Sequence, residues 1–186
     1  VMPCTAKKFE KTRENESASG YPDVDAVLTT RELAKMIKTS GILYNELPDG
    51  TFDNPLGEFT GAGVIFGATG GVMEAALRTA AEEITGKPLD KVDFKEVRGI
   101  KGIKEASYDL NGVKVKVAVA SGLTNAKALL ENIKKGECDY TFVEVMCCPG
   151  GCVNGGGQPI QSAYTRRQVD LRSKRAKALY DEDKKA

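Results

Sequence analysis

The stretch that most restricts how this chain folds is EVMCCPGGCVNGGGQP, residues 144–159. It contains three cysteines within six residues, Cys147, Cys148 and Cys152, and three consecutive glycines at 155–157. The hydrophobic run YTFVEVM that leads into the cysteines has the length and composition of a buried strand, and the glycine-rich residues after it predict a loop. We therefore expect the thiols at the end of a strand, where open α/β sheets bind ligands.

The chemistry available in this loop favours an iron–sulfur cluster. The chain has no histidine, which excludes imidazole metal ligands and Ser-His or Cys-His nucleophiles from these residues. Its five cysteines, two of them adjacent, make a poor disulfide framework. Backbone at Gly150, Gly151 and residues 155–157 can approach a bulky inorganic group and direct N–H groups at it, which suits a cluster better than a zinc ion. Zinc, or buried thiols in a plain glycine-rich turn, are the alternatives.

The rest of the sequence alternates strand and helix patterns, which predicts an α/β fold with mixed, largely parallel sheets and flanking helices. The clearest strand is GVKVKVAVAS, in which valines alternate with polar or small residues. It follows Asn111 and Gly112, a pair typical of a hairpin turn. The other predicted strands are DAVLTT (25–30), KVDFKEV (91–97), KEASYDL (104–110) and YTFVEVM (140–146).

Helix signals lie between and after these strands. Thr29 and Glu32 form a capping-box pattern, which begins a helix that reaches about Lys38. A second helix is predicted over residues 72–85, ended by Gly86, and its buried face consists of Val72, Ala76, Leu77 and Ala80. A third begins with Thr124 as its cap and ends at Gly136. The last is a basic helix over about Thr165–Asp181.

Charge and hydropathy exclude several classes of partner. The formal charge is +1, from 27 basic and 26 acidic residues, so no excess field attracts nucleic acid or an anionic membrane. No apolar run approaches the length of a membrane span, and no charged segment precedes an apolar one as in a secretory signal. The sequence predicts a soluble, cytoplasmic protein without a nucleic-acid or membrane partner.

A second thiol-bearing segment lies at the start of the chain, where VMPCTAKKFE contains Cys4 and Lys7. MPCTAKKFE together with EVMCCPGGCVNGGGQP resembles the second and third signature motifs of the FeFe-hydrogenases. DVDAVLTTRELAKMI and GAGVIFGATGGVMEAALR also look like that family, so the similarity covers nearly the whole chain. The resemblance implies part of a two-lobed catalytic domain that reversibly oxidises dihydrogen to protons and electrons at a six-iron H-cluster. In that family, a cysteine thiolate joins a 4Fe-4S cube to a two-iron unit with carbonyl and cyanide ligands.

The resemblance also implies which residues hold the cluster. Cys4 and Cys148 match ligands of the cube. Cys152 matches the thiolate that binds the cube and bridges it to the two-iron unit. The backbone of the cofactor loop would be supplied by Gly151, Gly155, Gly156 and Gly157.

Three other residues match positions near the two-iron unit, and a fourth matches the end of the second motif. Lys7 matches a lysine that donates a hydrogen bond to a cyanide ligand, where a fixed cation stabilises the anion. Met2 and Met146 match methionines whose soft apolar side chains pack on the two-iron pocket. Glu10 matches the acidic end of the second motif, where an ion pair or a chemical role is expected.

The sequence departs from the family pattern in two respects. Cys147 stands where many members have alanine, and Pro149 where they often have histidine, so Cys147 has no assigned role. The first motif of the family would lie upstream of Val1. A cube takes four thiolates and the matched positions supply three, with Cys138 a core residue rather than a substitute. We therefore expect a C-terminal fragment, without the first motif or ferredoxin-like modules, that is inactive alone and holds no complete cofactor.

The implied partners are dihydrogen, protons and an electron carrier such as ferredoxin or a nicotinamide-linked subunit. Two alternatives belong to other classes. One is a hydrogenase-like iron–sulfur assembly factor without the two-iron unit, and the other is a hydrogen sensor with low turnover. Lys7, Met2 and Met146 favour the hydrogenase over the assembly factor, because a cube alone has no cyanide to hold.

Overall fold

The computed structural model describes residues 1–51, 53, 60–87, 94–99 and 102–185. The chain forms two compact units, one of Val1–Glu58 with Gly155–Arg166 and the other of Phe59–Asn154 with Arg167–Ala186. The helices of the described residues are α1 (Lys7–Glu10), α2 (Thr30–Thr39), α3 (Gly61–Val64), α4 (Gly71–Thr85), α5 (Leu123–Lys134), α6 (Ala163–Gln168) and α7 (Leu171–Asp183). Short 3₁₀ turns cover Tyr44–Glu46, Ile65–Gly67, Lys95–Val97 and Cys152–Asn154.

The first unit contains helices α1 and α2 and has little hydrophobic core. Thr29 caps α2, because its Oγ1 accepts from the N–H of Glu32 at 3.2 Å and the Glu32 carboxylate accepts from the N–H of Thr29 at 2.8 Å. The predicted capping box is therefore confirmed. Among the described residues of this unit, no hydrophobic side chain is fully buried, so apolar burial contributes little to its stability.

The predicted strand DAVLTT does not form. Residues 25–29 have no regular secondary structure. The N–H of Met2 donates to the carbonyl of Leu28 at 2.9 Å, and Nζ of Lys8 donates to the carbonyl of Val27 at 2.9 Å. A strand pairs its backbone along a neighbouring strand. Here isolated backbone and side-chain donors satisfy the carbonyls instead, so the apolar run alone was a misleading signal.

The second unit contains a three-stranded sheet among its described residues, in the order β1 (Ile103–Leu110), β2 (Val113–Ser121) and β3 (Phe142–Met146). β1 and β2 are antiparallel, and β2 and β3 are parallel. The turn between β1 and β2 has positive φ angles at Asn111 (55°) and Gly112 (87°), as a tight hairpin requires. The predicted hairpin and the mixed α/β class with flanking helices are confirmed.

Two hydrophobic clusters pack against β2. The first joins α4 to the sheet and consists of Met73, Leu77, Ala81, Phe94, Val97, Leu110, Val117 and Val119. The second joins α5 to the sheet and consists of Ala118, Ala120, Ala126 and Leu129. Successive residues of a strand point to opposite faces, so helices cover both faces of β2 and give this unit a core that needs no metal.

The buried face of α4 differs from the prediction. Of the four residues expected there, Leu77 is fully buried and the others are half-buried, namely Val72, Ala76 and Ala80. The buried row instead has the i, i+4 spacing of one helical face and consists of Met73, Leu77 and Ala81. Alanine and valine in the row beside it made the two faces hard to distinguish by hydropathy.

Two predicted elements change their bounds or type. Helix α5 begins at Leu123 with Gly122 as the capping residue, so the predicted Thr124 cap is wrong. Glycine is one of the residues accepted at this position, and it supplies no side-chain hydrogen bond to the first turn. Of the predicted strand KVDFKEV, residues 91–93 lie outside the described part of the chain, and Lys95–Val97 form a 3₁₀ turn rather than a strand.

Strand β3 was expected to be buried, but it is only partly so. It lies at the edge of the described sheet, and Phe142 and Val145 are each 45% exposed. The residue of β3 that is fully buried is Glu144. The side chain that faces the interior of this unit is thus a carboxylate, although the apolar residues around it predicted a hydrophobic core position.

The predicted basic helix Thr165–Asp181 is divided into α6 and α7. Asp170 interrupts it and caps α7, with Oδ1 accepting from the N–H of Arg172 at 3.0 Å. An aspartate side chain that bonds to nearby N–H groups favours a helix start over a helix interior. In the described residues, no helix combines the length and the apolar character needed to cross a bilayer.

A group of buried charges connects α4 and α7. Glu74 is fully buried and accepts from Nη2 of Arg78 at 2.8 Å and from Nε of Arg98 at 2.7 Å. Both terminal nitrogens of Arg78 also donate to Asp183 at 2.8 Å. The Arg98 guanidinium lies 4.4 Å from the centre of the Tyr180 ring. Each of these charges has an opposite charge beside it, as buried ions require.

Candidate metal-cluster site

The cysteine loop begins where β3 ends, at Met146, as the sequence predicted. The N–H of Gly151 donates to the carbonyl of Cys148 at 2.9 Å and closes a turn, after which Cys152 begins a 3₁₀ turn. Cys148 and Cys152 are half-buried, whereas Cys147 is exposed. Both matched thiols of the second unit therefore follow the carboxyl end of a strand that pairs in parallel, which is a common ligand position.

Two glycines bring this loop against the segment before α4. Gly151 has φ +95°, and a Cβ there would lie 2.6 Å from the backbone nitrogen of Thr69 and 2.7 Å from the carbonyl oxygen of Gly67. Gly150, with φ +89°, accepts from the N–H of Thr69 at 3.2 Å and donates its own N–H to Oγ of Ser121 at 3.1 Å. The N–H groups of both glycines thus bond to protein atoms, whereas we expected them to face a cluster.

Glu144 anchors the strand beneath the loop to the start of α4. Its two carboxylate oxygens accept from the N–H groups of Gly70 and Met73, each at 2.7 Å. These N–H groups lie in the first turn of the helix, where the backbone has no internal acceptor and the helix dipole favours an anion. Sequence reasoning missed Glu144, although a lone acidic residue in an apolar strand was a usable signal.

Lys104 is a second buried charge near the same segment. Its Nζ donates to the carbonyls of Thr69 at 3.2 Å and Gly99 at 3.0 Å. Burial lowers the pKa of Lys104 to about 8, and the Glu144 carboxylate opposes that shift. Sequence reasoning missed Lys104 as well, because it stands next to Glu105 in a polar strand, and such residues are usually exposed.

In the first unit, the glycine run lies against the segment that contains Cys4. The N–H of Gly157 donates to the carbonyl of Pro3 at 3.1 Å, and the carbonyl of Gly157 accepts from the N–H of Arg31 at 3.3 Å. A Cβ at Gly157 would lie 2.7 Å from Cβ of Thr29. Cys4 itself is half-buried. The third-motif glycines and the second-motif cysteine are therefore brought together within one unit.

The neighbouring glycine adds to this arrangement. The carbonyl of Gly156 accepts from Nη2 of Arg31 at 3.0 Å, and a Cβ there would lie 3.2 Å from Oγ1 of Thr5. Gly155, which precedes it, is buried. Close packing against Thr29 and Pro3 thus gives Gly157 a reason to be glycine that does not involve a cofactor, whereas Gly156 meets only the Thr5 side chain.

The remaining matched residues of the first unit lie on or beside α1. Lys7 forms an ion pair with Glu10, three residues further along. Met2 is partly exposed, and its N–H is bonded to Leu28 as described above. The ion pair is one of the two roles expected for Glu10, and it restrains the ammonium group of Lys7.

The donor set fits an iron–sulfur cluster better than a single ion. All five cysteines lie in the described part of the chain, and each is a thiol rather than half of a disulfide. Within the described ranges, no three Cys, His, Asp or Glu side chains are grouped so that they could hold one metal ion. The thiolates of a cube bind separate iron atoms and are spread more widely. Soft sulfur ligands without histidine, beside glycine backbone that excludes a Cβ, suit such a cluster.

Comparison with known proteins identifies the same family. Residues 1–156 match the family model described as "Iron only hydrogenase large subunit, C-terminal domain". The chain is 56% identical over 160 residues to the periplasmic [Fe] hydrogenase large subunit of Nitratidesulfovibrio vulgaris, covering 86% of the chain and 38% of that protein. It is 52% identical over 183 residues to the NADP-reducing hydrogenase subunit HndD of Solidesulfovibrio fructosivorans, covering 98% of the chain and 30% of that protein.

Solved structures agree. A variant of the [FeFe]-hydrogenase HydA1 from Chlamydomonas reinhardtii is 41% identical, with a TM-score of 0.73, and the match covers 98% of this chain and 53% of that one. The cytosolic iron-sulfur assembly component 3 of Mus musculus is 36% identical over 164 residues, covering 85% of the chain and 34% of that protein.

The chain belongs to the iron-only hydrogenase large-subunit family, in which it corresponds to the C-terminal domain. It spans about a third of the length of the curated relatives it matches.

Proposed function

We propose that the protein containing these residues catalyses the reversible oxidation of dihydrogen to protons and electrons. The observation that carries this proposal is the family match over residues 1–156, which includes all five cysteines. The relatives at 52% and 56% identity are named as hydrogenases, whereas the assembly factor is 36% identical. An H-cluster, when bound, would supply the dihydrogen chemistry and the electron transfer.

The residues of this chain would hold and orient that cofactor. By the match to the family motifs, Cys4 and Cys148 would supply thiolates to the cube, and Cys152 would supply the bridging thiolate. The glycines at 150 and 151 fix the loop that carries Cys148 and Cys152 against the backbone before α4. Met2 and Met146 would exclude water from the two-iron unit.

Lys7 would donate a hydrogen bond to an anionic ligand of the two-iron unit. A charge-assisted bond of this kind is stronger than one between neutral groups. In the structure the Lys7 ammonium is paired with Glu10 on the next turn of chain. Glu10 would therefore act as a positioning residue, because it limits the rotamers of Lys7 before the cofactor is bound.

We propose that the protein is cytoplasmic and exchanges electrons with ferredoxin or a nicotinamide-linked subunit. The relative from S. fructosivorans is named as NADP-reducing, which supports a nicotinamide-linked subunit as one carrier, with ferredoxin as the other. The relative from N. vulgaris is named as periplasmic, so the cytoplasmic location expected from the sequence stays a prediction. A hydrogen sensor would share the site and differ in turnover.

The proposal is tested on the matured protein that contains the complete catalytic domain. Gas chromatography measures dihydrogen evolved from a reduced dye, and infrared spectra record carbonyl and cyanide bands. We expect Lys7→Ala to lose activity and cyanide bands while the visible absorbance of the cube remains. Lys11→Ala is the matched control, since its ammonium donates to the carbonyl of Asp25 instead. Wild-type activity and bands in Lys7→Ala would contradict the role of Lys7.

The same spectra separate the two leading functions. An assembly factor would show the absorbance of a cube without any carbonyl or cyanide band, and it would evolve no dihydrogen. A sensor would show the bands with little turnover. The hydrogenase proposal requires both the bands and the activity.

We further infer that the 186 residues expressed alone fold but hold no complete cofactor. The second unit supplies a core independent of metal. Three matched thiolates do not complete a cube, which takes four. Metal analysis of the purified chain checks this, and stoichiometric iron and sulfide would show that Cys138 or Cys147 supplies a further ligand.

A further inference from the structure

The hydroxyl of Thr69 is buried and has no hydrogen-bond partner among the described residues. Thr69 is 2% exposed and stands against the cysteine loop, because its N–H donates to the carbonyl of Gly150 at 3.2 Å. A Cβ on Gly151 would lie 2.6 Å from the same backbone nitrogen. Buried polar groups in folded proteins nearly always have partners, and an unsatisfied one lowers stability.

The backbone of Thr69 cannot easily move to provide a partner. Its carbonyl accepts from Nζ of the buried Lys104 at 3.2 Å. The next residue, Gly70, donates its N–H to the buried Glu144 at 2.7 Å. Thr69 is thus fixed by the loop on one side and by two buried charges on the other. In this rigid segment the hydroxyl is the polar group left without a partner.

We propose that the hydroxyl of Thr69 donates a hydrogen bond to a sulfur atom of the iron–sulfur cluster held by the loop of Cys148 and Cys152. Hydrogen bonds to cluster sulfurs are one of the factors that set the reduction potential. Reduction adds negative charge to the cluster, so a donor stabilises the reduced form and raises the potential. This inference rests on the cluster of the proposed function, but not on dihydrogen turnover.

The first test uses the 186-residue chain without a cluster. Thr69→Val keeps the shape of the side chain and removes the hydroxyl. Because that hydroxyl is unsatisfied in the absence of the cluster, we expect the urea midpoint of Thr69→Val to equal or exceed that of the wild type. Thr69→Ser keeps the hydroxyl but loses a buried methyl group, and we expect its midpoint to fall. A lower midpoint for Thr69→Val than for Thr69→Ser would overturn the proposal.

The second test uses the matured protein and a redox titration of the cube followed by electron paramagnetic resonance. We expect Thr69→Val to shift the midpoint potential to a more negative value and Thr69→Ser to retain the wild-type value. Thr85→Val is the matched control, since the Thr85 hydroxyl already donates to the carbonyl of Ala81 at 2.7 Å, and we expect no shift. An unchanged potential in Thr69→Val would overturn the proposal.

These outcomes are separate from those of the proposed function. A wild-type protein with a cube but without carbonyl bands or activity would contradict the hydrogenase proposal. In that protein Thr69→Val would still shift the potential of the cube if the inference is right. Conversely, an active hydrogenase with no shift in Thr69→Val would contradict only the role of Thr69.

Discussion

The two thiol-bearing segments of this chain are held in different ways. In the first unit, the backbone around Cys4 is bonded to Gly157, and no described hydrophobic side chain of that unit is fully buried. In the second unit, the loop of Cys148 and Cys152 follows β3, which lies at the edge of the described sheet and is anchored to the start of α4 by the buried Glu144. The position of the first segment depends on glycines, which have no side chain. The position of the second depends on buried side chains that come from distant parts of the sequence.

Because of this difference, substitutions in the two segments should have different effects on stability. A Cβ at Gly157 would overlap the Thr29 side chain, and a Cβ at Gly156 would meet only the flexible Thr5 side chain, so small substitutions at these two glycines act locally. The second unit instead combines a hydrophobic core with buried charges, whose loss leaves a partner uncompensated. We therefore expect the largest stability effects in the second unit and effects confined to nearby residues in the first.

Glu74→Ala should give the largest loss of stability. It removes the buried carboxylate that accepts hydrogen bonds from both Arg78 and Arg98, and breaking a buried pair in this way costs about 3–5 kcal/mol. Urea unfolding followed by far-ultraviolet circular dichroism measures the change. Glu83→Ala is the matched control on the exposed side of α4, with an expected effect within about 0.5 kcal/mol. Similar losses in both variants would show that the buried charges do not stabilise this unit.

Gly151→Ala should come next, with a cost of about 2–4 kcal/mol from overlap with the backbone of Thr69 and a left-handed φ. Gly136→Ala measures the cost of the left-handed φ alone, because Gly136 has φ +73° and nothing within 4 Å of an added Cβ. We expect about 1 kcal/mol there. Equal costs at the two positions, measured by urea unfolding, would mean that the loop moves away without penalty.

Gly157→Ala should act within the first unit. Its Cβ would overlap Thr29, so we expect the bond between Gly157 and Pro3 to open and hydrogen exchange of the amides at 157 and 31 to accelerate. Amides of β2 should keep their protection. Gly156→Ala is a milder control, since its nearest contact is the flexible Thr5 side chain at 3.2 Å. Faster exchange throughout β2 would contradict a local effect.

The two units should also respond to opposite ends of the pH range. The N–H of Thr29, and then the Lys8 ammonium, lower the pKa of Glu32 from 4.5 to about 2. Its stabilising contribution to α2 is therefore complete above about pH 4.5 and is lost as the pH falls toward 2. Burial lowers the pKa of Lys104 from 10.5 to about 8, so the second unit should gain stability as the pH rises from 8 to 10.5.

Hydrogen exchange of α2 in acid and the thermal midpoint in alkali measure these two dependences. Glu32→Gln should weaken the acid dependence of α2, and Lys104→Met should remove the alkaline rise. An alkaline rise of the same size in Lys104→Met would assign it to another group. This pair of effects is expected to be the smallest of the set.

Local rules explain most of the elements that could be predicted from the sequence. The capping box at Thr29 and the hairpin at Asn111 and Gly112 depend on residues within a few positions, and Gly86 ends α4 in a left-handed conformation as expected. The strand at 25–30 failed because strand formation depends on a partner strand, and this segment has none among the residues that the structure describes. Local hydropathy cannot show such a partner.

The site was predictable to a similar extent. The cysteines and glycines were visible as motifs, and their chemistry pointed to a cluster. The groups that fix the loop were not, because each partner is distant in sequence: Glu144 is 74 residues from Gly70, and Lys104 is 35 residues from Thr69. Charged residues in amphipathic strands are predicted to face solvent, because most charged residues in proteins do. Only the folded structure shows which of them are covered.

We propose that Cys152 holds both parts of one cofactor, and total iron together with infrared spectra of the matured protein test this role most directly. Cys138→Ala is the matched control, since Cys138 matches no ligand position. We predict that Cys152→Ala loses the carbonyl and cyanide bands and the two-iron share of the metal, whereas Cys138→Ala keeps both. Wild-type bands and iron content in Cys152→Ala would contradict the assignment of the bridging thiolate and, with it, the account of this site.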